Sequence, residues 1–223
     1  MNAMRAVRLL ATALALALTS AQGADQFRAG VSAGLSLPIS DFGKFFNNGF
    51  GGRALFAYEV NPGIFFTASA GYDRWEVDNQ AVNDAIVPVV GVPVALAVDG
   101  NLRSIPLMIG IRYSPLPKGI QPYLTLQAGM HLLALELSGT VTTGPNVTPL
   151  PSTSDSWSAF GLAAGLGVAL PFSRQWALEI SATYSSVEQA DIQITSPSDP
   201  GGTDIGARAL RSYYFHAGVT HAF

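Results

Sequence analysis

The strongest constraint in this sequence is a strict alternation of apolar residues with small or polar residues, which recurs in eight segments after residue 23. In the first segment, Val31, Ala33 and Leu35 alternate with Ser32 and Gly34. A β-strand sends successive side chains to opposite faces, so each segment predicts a strand with one apolar face. None of the eight apolar rows contains a charged residue. Charged residues make up 12% of the chain, about half of the usual 25% for a soluble domain. The alternation therefore predicts a sheet with an apolar environment on one face.

Residues 1–23 have the pattern of a cleaved secretory signal peptide. Two arginines precede an apolar run over 9–18, and small residues follow, so cleavage after Ala21 or Gly23 is expected. The apolar run is about half as long as the ~20 residues that a transmembrane helix needs. The sequence thus predicts an exported chain whose single mature domain covers 24–223.

The connectors between the eight segments alternate strictly between short and long. The short ones, which include the turn Asn61-Pro62-Gly63, are 61–63, 114–119 and 171–174, and the long ones are 38–49, 77–101, 138–155 and 186–206. No segment after residue 23 has the ~18 consecutive apolar residues of a membrane helix. Because hydrocarbon cannot satisfy an open strand edge, strands in a membrane must close into a barrel. The predicted fold is all-β, an eight-stranded antiparallel up-and-down barrel in an outer membrane, with short periplasmic turns and long extracellular loops.

Aromatic residues cluster near both ends of the predicted strands, as expected for the two interfacial girdles of such a barrel. The set near the short turns is Tyr58, Phe66, Tyr113, Tyr123, Phe172, Trp176 and Phe223, and the set near the long loops is Tyr72, Trp75, Trp157, Phe160, Tyr184 and Tyr213.

The C-terminus carries a polar residue, a glycine two positions later and a terminal aromatic, at His216, Gly218 and Phe223. This pattern resembles the C-terminal assembly signal of bacterial outer-membrane barrels, although His221 stands where an aromatic or aliphatic residue is usual. Over the mature chain, including the element Ser40-Asp41-Phe42, the sequence resembles the small OmpA, OmpX and OmpW group of eight-stranded barrels. The resemblance implies a monomer in the bacterial outer membrane, with membrane lipids and the barrel-assembly machinery as partners.

Strand parity places six charged residues in the lumen, namely Arg28, Arg53, Arg112, Glu59, Asp73 and Glu179, together with the neutral His131 and His216. If the turn at 61–63 sets the register, facing residues have numbers that sum to about 124, so Arg53 lies diagonally opposite Asp73. Arg28 and Glu59 are expected near the periplasmic ends of the first two strands. An eight-stranded barrel is just wide enough for its own side chains, so these charges should form a hydrogen-bonded plug. In the favoured interpretation these charged side chains fill the lumen and have no further role. In the alternative they form a gate that opens when ion pairs exchange partners.

The second long connector contains an unusual apolar stretch over 85–98. Its candidate contact residues are Ile86, Val87, Val89, Val90, Val92, Val94 and Leu96. As resemblance to the OmpW type implies, this stretch could be a lid or entrance for a small apolar solute. The alternative is a hairpin that extends the third and fourth strands above the membrane. Two further membrane strands here would give ten in total, but the prolines argue against that.

The sequence provides little evidence for catalytic chemistry. It lacks cysteine and any metal-ligand spacing, and a formal net charge of −3 gives no basis for nucleic-acid binding. No histidine has a serine two residues away, so a catalytic triad could form only through space. We therefore expect no catalytic residues, metal or cofactor. The expected function is structural, or the passage or capture of a small apolar solute. The alternative is surface adhesion through the extracellular loops, and a lipid-modifying enzyme ranks below both.

Overall fold

The computed structural model describes residues 26–82, 95–116, 118–143, 146–190, 193–196, 199–204 and 207–223. The predicted signal peptide over 1–23 lies outside these residues. Among them, no helix combines the length and the apolar character that crossing a membrane requires.

In addition to a helical turn over 79–82, the described chain includes ten strands and a short helix. They are β1 (Phe27–Ile39), α1 (Phe42–Phe45), β2 (Gly49–Asn61), β3 (Ile64–Glu76), β4 (Ala95–Tyr113), β5 (Gln121–Thr143), β6 (Asn146–Pro171), β7 (Trp176–Ala190), β8 (Gln193–Ser196), β9 (Asp199–Asp204) and β10 (Ala207–Ala222). Eight of the strands close into an antiparallel barrel in the order β1-β10-β7-β6-β5-β4-β3-β2, while β8 pairs with β9 alone. The predicted eight-stranded up-and-down barrel is confirmed.

The register between β2 and β3 is the one that the turn at 61–63 predicts. Arg53 pairs with Gly71, and Gly51 pairs with Asp73. The barrel closes between β1 and β10, where Gly34 faces the β10 backbone so closely that a Cβ atom there would collide with the Phe215 carbonyl oxygen. The closing seam thus depends on the small residues of the inward row.

The apolar rows face outward and the polar rows face inward, as the alternation predicts. Val31, Leu35, Leu124, Leu126 and Leu166 are 59–68% exposed on the outer surface. The largest buried side chains of the inward rows include those of Thr67, Asp73, Arg112 and His131. An apolar exterior around a polar interior is the arrangement expected for a barrel surrounded by lipid.

All four predicted long connectors contain regular structure, and β4 begins at Ala95, within 77–101. The strands β5 and β6 continue through most of 138–155, and the hairpin of β8 and β9 lies within 186–206, while α1 lies within 38–49. The strands β4, β5 and β6 have 19, 23 and 26 residues, whereas about 9–11 residues cross a membrane. Beyond the bilayer the outer face of a strand meets water instead of lipid, so the outward apolar row ends although the strand continues.

The girdle prediction is wrong for three aromatic residues, because closeness to a strand end does not determine the face. Trp75 is buried inside the barrel and its Nε1 donates to Ser36 Oγ at 2.9 Å. Tyr123 also points inward, and Trp157 packs against interior apolar residues. Exposed aromatics do surround both ends: Phe66, Tyr113, Phe172 and Trp176 at one end, and Tyr72, Phe160 and Tyr213 at the other.

The lumen becomes apolar near the long connectors. A cluster that we call the apolar plug consists of Phe42, Trp75, Leu102, Leu133, Leu135, Ala159, Val187, Leu210 and Tyr214. Helix α1 supplies Phe42, whose ring meets Trp75 edge-on at 5.3 Å between centroids. The helix thereby closes this end of the barrel with one of its own side chains.

We expect Trp75→Phe to lower the free energy of unfolding by about 1–2 kcal/mol, since it removes the buried hydrogen bond to Ser36 as well as some ring contact. Urea unfolding in lipid vesicles measures the change. If the hydrogen bond is the cause, the losses from Trp75→Phe and Ser36→Ala are less than additive in the double variant. Fully additive losses would contradict this explanation.

Candidate functional site

An ion pair crosses the lumen near the short turns. Arg112 Nη1 on β4 donates to Glu179 Oε1 on β7 at 2.8 Å, although β5 and β6 lie between these strands. Tyr123 and Thr220 donate their hydroxyl groups to Glu179 at 3.1 and 3.2 Å, and the Arg112 guanidinium lies 3.6 Å from the centroid of the Tyr123 ring. We call these four residues the Arg112 layer. They link four strands through one buried carboxylate.

A second polar level, the Arg53 layer, lies between the Arg112 layer and the apolar plug. Its members are Arg53, Asp73, Ser104, His131 and His216. The Arg53 Nη2 atom is 4.0 Å from Asp73 Oδ2 on the neighbouring strand, so the structure brings together the two charges that the register placed diagonally. Ser104 Oγ lies 3.0 Å from His131 Nδ1.

The Arg53 layer is packed against aromatic rings. The Arg53 guanidinium lies 4.5 Å from the centroid of the Tyr214 ring, and His216 stacks on that ring with centroids 5.7 Å apart. Asp73 is fully buried, and a Cβ atom at Gly51 would collide with its carboxylate. Small residues in the inward rows therefore make room for these polar side chains.

The remaining predicted lumen charges, Arg28 and Glu59, lie at the mouth next to the short turns. Arg28 Nη1 donates to Gln121 Oε1 at 3.3 Å, and its guanidinium lies 4.6 Å from the centroid of the Phe65 ring. Glu59 Oε1 accepts the N–H of Gly63 at 2.8 Å and so fixes the first short turn. A cavity of about 590 Å³ opens here to the outside.

Inside the barrel, the Arg112 layer, the Arg53 layer and the apolar plug follow one another from the short turns toward the long connectors. Arg112, Asp73 and Leu102, one from each level, are at most 2% exposed. A second cavity, of about 880 Å³, lies at the opposite end among polar residues that include Asp78 and Asp99. The two cavities lie at opposite ends of the barrel.

The sequence interpretation missed a set of charges on the outward rows just beyond the apolar belt. Arg103 Nη2 donates to Glu136 Oε2 at 2.7 Å, and Asn101 Nδ2 donates to the same oxygen at 3.3 Å. On the next strand, Arg74 lies 3.7 Å from Glu76. The sequence does contain an indication of these charges. The first charged residue after each apolar row marks the point where the lipid-facing surface ends.

Most of the predicted apolar contact residues, from Ile86 to Val94, lie outside the described residues. Leu96 belongs to β4, where it pairs with Val141 of β5. The residues 95–98 therefore form part of an extended hairpin of β4 with β5, whereas the interpretation expected the third and fourth strands to extend together, and β3 pairs with β4 only as far as Glu76 and Asn101. The contact role of the stretch stays a prediction.

The predicted assembly residues His216, Gly218 and His221 lie on β10 at the closing seam, and Phe223 directly follows this strand. Gly218 pairs with Ser32, and Phe223 N donates to the Phe27 carbonyl at 2.9 Å. The His221 ring packs on Trp176 and Phe223, with centroids 4.6 and 4.5 Å apart. His221 therefore packs as an aromatic ring among aromatic neighbours. This agrees with the C-terminal motif, which usually has an aromatic or aliphatic residue at this position. Recognition by the assembly machinery stays a prediction.

Ser104 and His131 form a contact between a serine and a histidine. The sequence alone did not predict it, because the fold brings the two residues together. Both side chains are at most 1% exposed. In the part of the chain described by the structure, no group of three or more His, Cys, Asp or Glu side chains is placed to hold a metal ion.

Comparison with known proteins identifies the family. A family model described as the outer membrane protein beta-barrel domain matches residues 9–220. The chain belongs to this family. As an outer-membrane barrel protein it lies in the bacterial outer membrane, and its apolar outer face contacts the lipid. No curated protein sequence matches it.

Several solved outer-membrane barrels resemble this barrel protein in structure. Neisserial surface protein A is 19% identical with a TM-score of 0.53, and the match covers 91% of this chain and all of that one. The attachment invasion locus protein Ail of Yersinia pestis is 14% identical with a TM-score of 0.49, over 89% and 99% of the two chains. The barrel domain of OprF from Pseudomonas aeruginosa is 14% identical with a TM-score of 0.38, over 90% and 100%. At such identity the likeness to surface protein A shows the fold alone.

In an outer-membrane barrel the long connections are extracellular, which makes the two ends of this protein electrically different. The long connectors contain one lysine, Lys44, and nine acidic residues: Asp41, Asp78, Asp84, Asp99, Asp155, Glu188, Asp191, Asp199 and Asp204. The short connectors contain Lys118 and Arg174 and no acid. The extracellular end is therefore acidic.

Proposed function

We propose that this outer-membrane barrel is a closed surface protein that recognises an extracellular partner, and that it is neither a solute conduit nor an enzyme. The observation that carries the proposal is the continuation of β4, β5 and β6 as a sheet beyond the span of a membrane. A sheet of this length is unnecessary for membrane insertion, for which about 9–11 residues per strand suffice.

The filled lumen supports this choice over passage of a small solute. A solute would have to displace the apolar plug and separate Arg53 from Asp73 and Arg112 from Glu179, while leaving charges buried without partners. Capture of an apolar solute within the plug would require Phe42 to leave, since its ring is part of that cluster and packs edge-on against Trp75.

Burial also supports a non-enzymatic role. A lipid substrate outside the barrel has no path to Ser104 or His131 through the packed wall and the plug. A test is to compare lipid modification by the wild type with that by His131→Ala. Equal results support the proposal, and activity that depends on His131 would overturn it.

The recognition role is tested by shortening the extracellular hairpin. Replacing residues 134–156 with the two-residue turn Asn-Gly leaves Leu133 and Trp157, which already pair across β5 and β6, at the new hairpin end. Bacteria that produce this variant should lose most of their attachment to other cells and to polymer-coated surfaces. A heat-dependent shift in gel mobility shows that the barrel has folded.

Lys118→Gln, at the opposite end of the barrel, is the matched control and should attach like the wild type. In planar bilayers, both the wild type and the shortened variant should lack solute conductance. Undiminished attachment by the shortened variant, or conductance by the wild type, would overturn the proposed function.

A further inference from the structure

The cavity next to the short turns, which we call the periplasmic mouth, is closed at its inner end. Its volume is about 590 Å³, within the range of about 300–1,000 Å³ that is usual for small-ligand sites. Thr220 lines this cavity and donates its hydroxyl group to Glu179, so the Arg112 layer forms the inner end. Because the short turns of an outer-membrane barrel are periplasmic, a ligand enters from the periplasm and stops at this layer.

Hydrogen bonds hold the turns that surround the periplasmic mouth. The N–H of Ser114 donates to the Gly63 carbonyl at 2.7 Å and so joins the second short turn to the first. At the third short turn, Ser173 Oγ accepts the N–H of Gln175 at 3.2 Å. The Gln175 carbonyl accepts the N–H of Ala222 at 2.7 Å, which joins this turn to β10. A site whose rim is fixed in advance loses less conformational freedom when it binds a ligand.

The charged residues that line the periplasmic mouth are mostly basic. They are Arg28, Lys118 and Arg174, against one acid, Glu59. A cleft with an excess of one charge attracts ligands of the opposite charge. The extracellular end of the barrel is acidic, so the two ends of the protein attract different ligands. The periplasmic mouth therefore favours an anion.

Arg28 has the surroundings of an anchor for a carboxylate. Its guanidinium is held by Gln121 Oε1 at 3.3 Å and by the Phe65 ring, whose centroid is 4.6 Å away. Both of these neighbours are buried. A guanidinium has five N–H donors in a planar fork, more than the contact with Gln121 uses, and two of them match the two oxygens of a carboxylate. The orientation of Arg28 is thus set before a ligand arrives.

Glu59 selects among the anions that Arg28 attracts. Its carboxylate lines the same cavity, and its Oε1 accepts the N–H of Gly63 at 2.8 Å. A phosphate group with two negative charges is repelled by this carboxylate. The last residue of a peptide carries its carboxylate beside a backbone N–H, which Glu59 can accept. The lining also includes the apolar side chains of Leu116 and Trp176, which suit the side chains of such a peptide.

We propose that the periplasmic mouth binds the free C-terminal end of a periplasmic polypeptide. Arg28 binds the terminal carboxylate, and Glu59 accepts a backbone N–H of the same segment. Capture of a C-terminal carboxylate is a recurring mode of peptide recognition. The cavity has room for the last few residues of a chain and ends at the Arg112 layer, so the bound segment does not pass through the barrel. This site lies at the opposite end from the proposed extracellular recognition surface and does not depend on it.

Fluorescence anisotropy measures the binding of a labelled pentapeptide to the full-length protein in a nonionic detergent. The peptide ends in alanine, leucine and alanine and carries the fluorophore at its N-terminus. Two versions differ only at the C-terminus, which is a free carboxylate in one and an amide in the other. We expect the free acid to bind at least about tenfold more tightly than the amide. An excess of unlabelled free-acid peptide should displace the labelled peptide, whereas the same excess of inorganic phosphate should leave it bound.

Variants of Arg28 locate the site. Arg28→Gln should lower the affinity for the free acid by about tenfold or more. It should also remove the difference between acid and amide, which a general weakening of the fold would not do. Arg28→Lys keeps the charge without the planar fork and should retain only part of the affinity. The matched control is Arg211→Gln, which removes an exposed arginine at the extracellular end and should bind like the wild type. Heat-dependent gel mobility verifies folding of each variant.

Equal binding of acid and amide by the wild type would overturn the proposal, as would a preference for the acid that survives in Arg28→Gln. Displacement by inorganic phosphate as effective as that by unlabelled peptide would also overturn it, because the mouth would then bind oxyanions in general. If Arg28→Gln fails to fold, the wild type and Arg28→Lys still decide the outcome. The variant that lacks 134–156 should bind the peptide like the wild type. If cells attach but the peptide does not bind, the mouth proposal fails and the recognition function stands.

Discussion

Glu179→Ala should lower the free energy of unfolding by about 3–5 kcal/mol, the range for removing one partner of a buried ion pair. Arg112 is 2% exposed and would keep its charge in the lumen, beside the Tyr123 ring. The hydroxyl groups of Tyr123 and Thr220 would lose their acceptor as well. Denaturant unfolding in lipid vesicles, followed by tryptophan fluorescence, measures the loss.

Two further variants test whether the loss of stability comes from the buried, unpaired charge or from the removal of any carboxylate. Glu136→Ala removes an exposed carboxylate that pairs with Arg103 at a similar distance, and it should cost less than about 1 kcal/mol. The double variant Arg112→Met/Glu179→Leu should recover much of the loss, because no unpaired charge remains. A loss from Glu179→Ala no larger than that from Glu136→Ala would show that water reaches Arg112, and the lumen would then not be closed at this level.

The barrel itself was predictable because lipid imposes a simple rule on the sequence. Outward positions such as Leu126 and Ile109 must be apolar, so the alternation reveals both the strand and its orientation. The register between β2 and β3 was equally accessible, since the turn at 61–63 fixes it and brings Arg53 near Asp73.

Contacts across the lumen were not accessible in this way. Arg112 and Glu179 lie on strands that are not neighbours, so no turn relates their positions. Their pairing depends on the width and tilt of the closed barrel, which a linear pattern does not contain. The same reason explains why Ser104 and His131 came together only in the fold.

The extracellular half was misread because the environment changes there along the same strands. Leu133 and Leu135 occupy inward positions, yet they are apolar and belong to the plug. Above the membrane a buried interior obeys the rule for water-soluble proteins, with apolar residues inside and polar residues outside. Trp75 follows Asp73 by two residues, so the alternation of the strand places both side chains in the lumen. The sequence interpretation instead assigned Trp75 to a girdle because it lies near the end of the strand.

Phe42→Ala should remove a buried ring from the apolar plug and destabilise the protein by about 3–5 kcal/mol, as large-to-small changes at buried aromatics do. Phe42 is 3% exposed and packs against Trp75 and Phe46. Lys44→Ala, which changes an exposed side chain of the same helix, is the control and should cost less than about 0.5 kcal/mol. Denaturant unfolding in vesicles measures both variants.

The same variant distinguishes the two interpretations of the lumen charges, which either fill the lumen or act as a gate. In the filled-lumen interpretation, Phe42→Ala stays closed to solutes in planar bilayers, because the Arg53 and Arg112 layers still occupy the levels below. In the gate interpretation those ion pairs exchange partners once the plug is loosened, and conductance appears. We expect no conductance, since separating either pair would leave a buried charge alone, at a cost of about 3–5 kcal/mol. Conductance by Phe42→Ala at the level of an open barrel would show that the ion pairs open readily and that α1 alone keeps the protein shut.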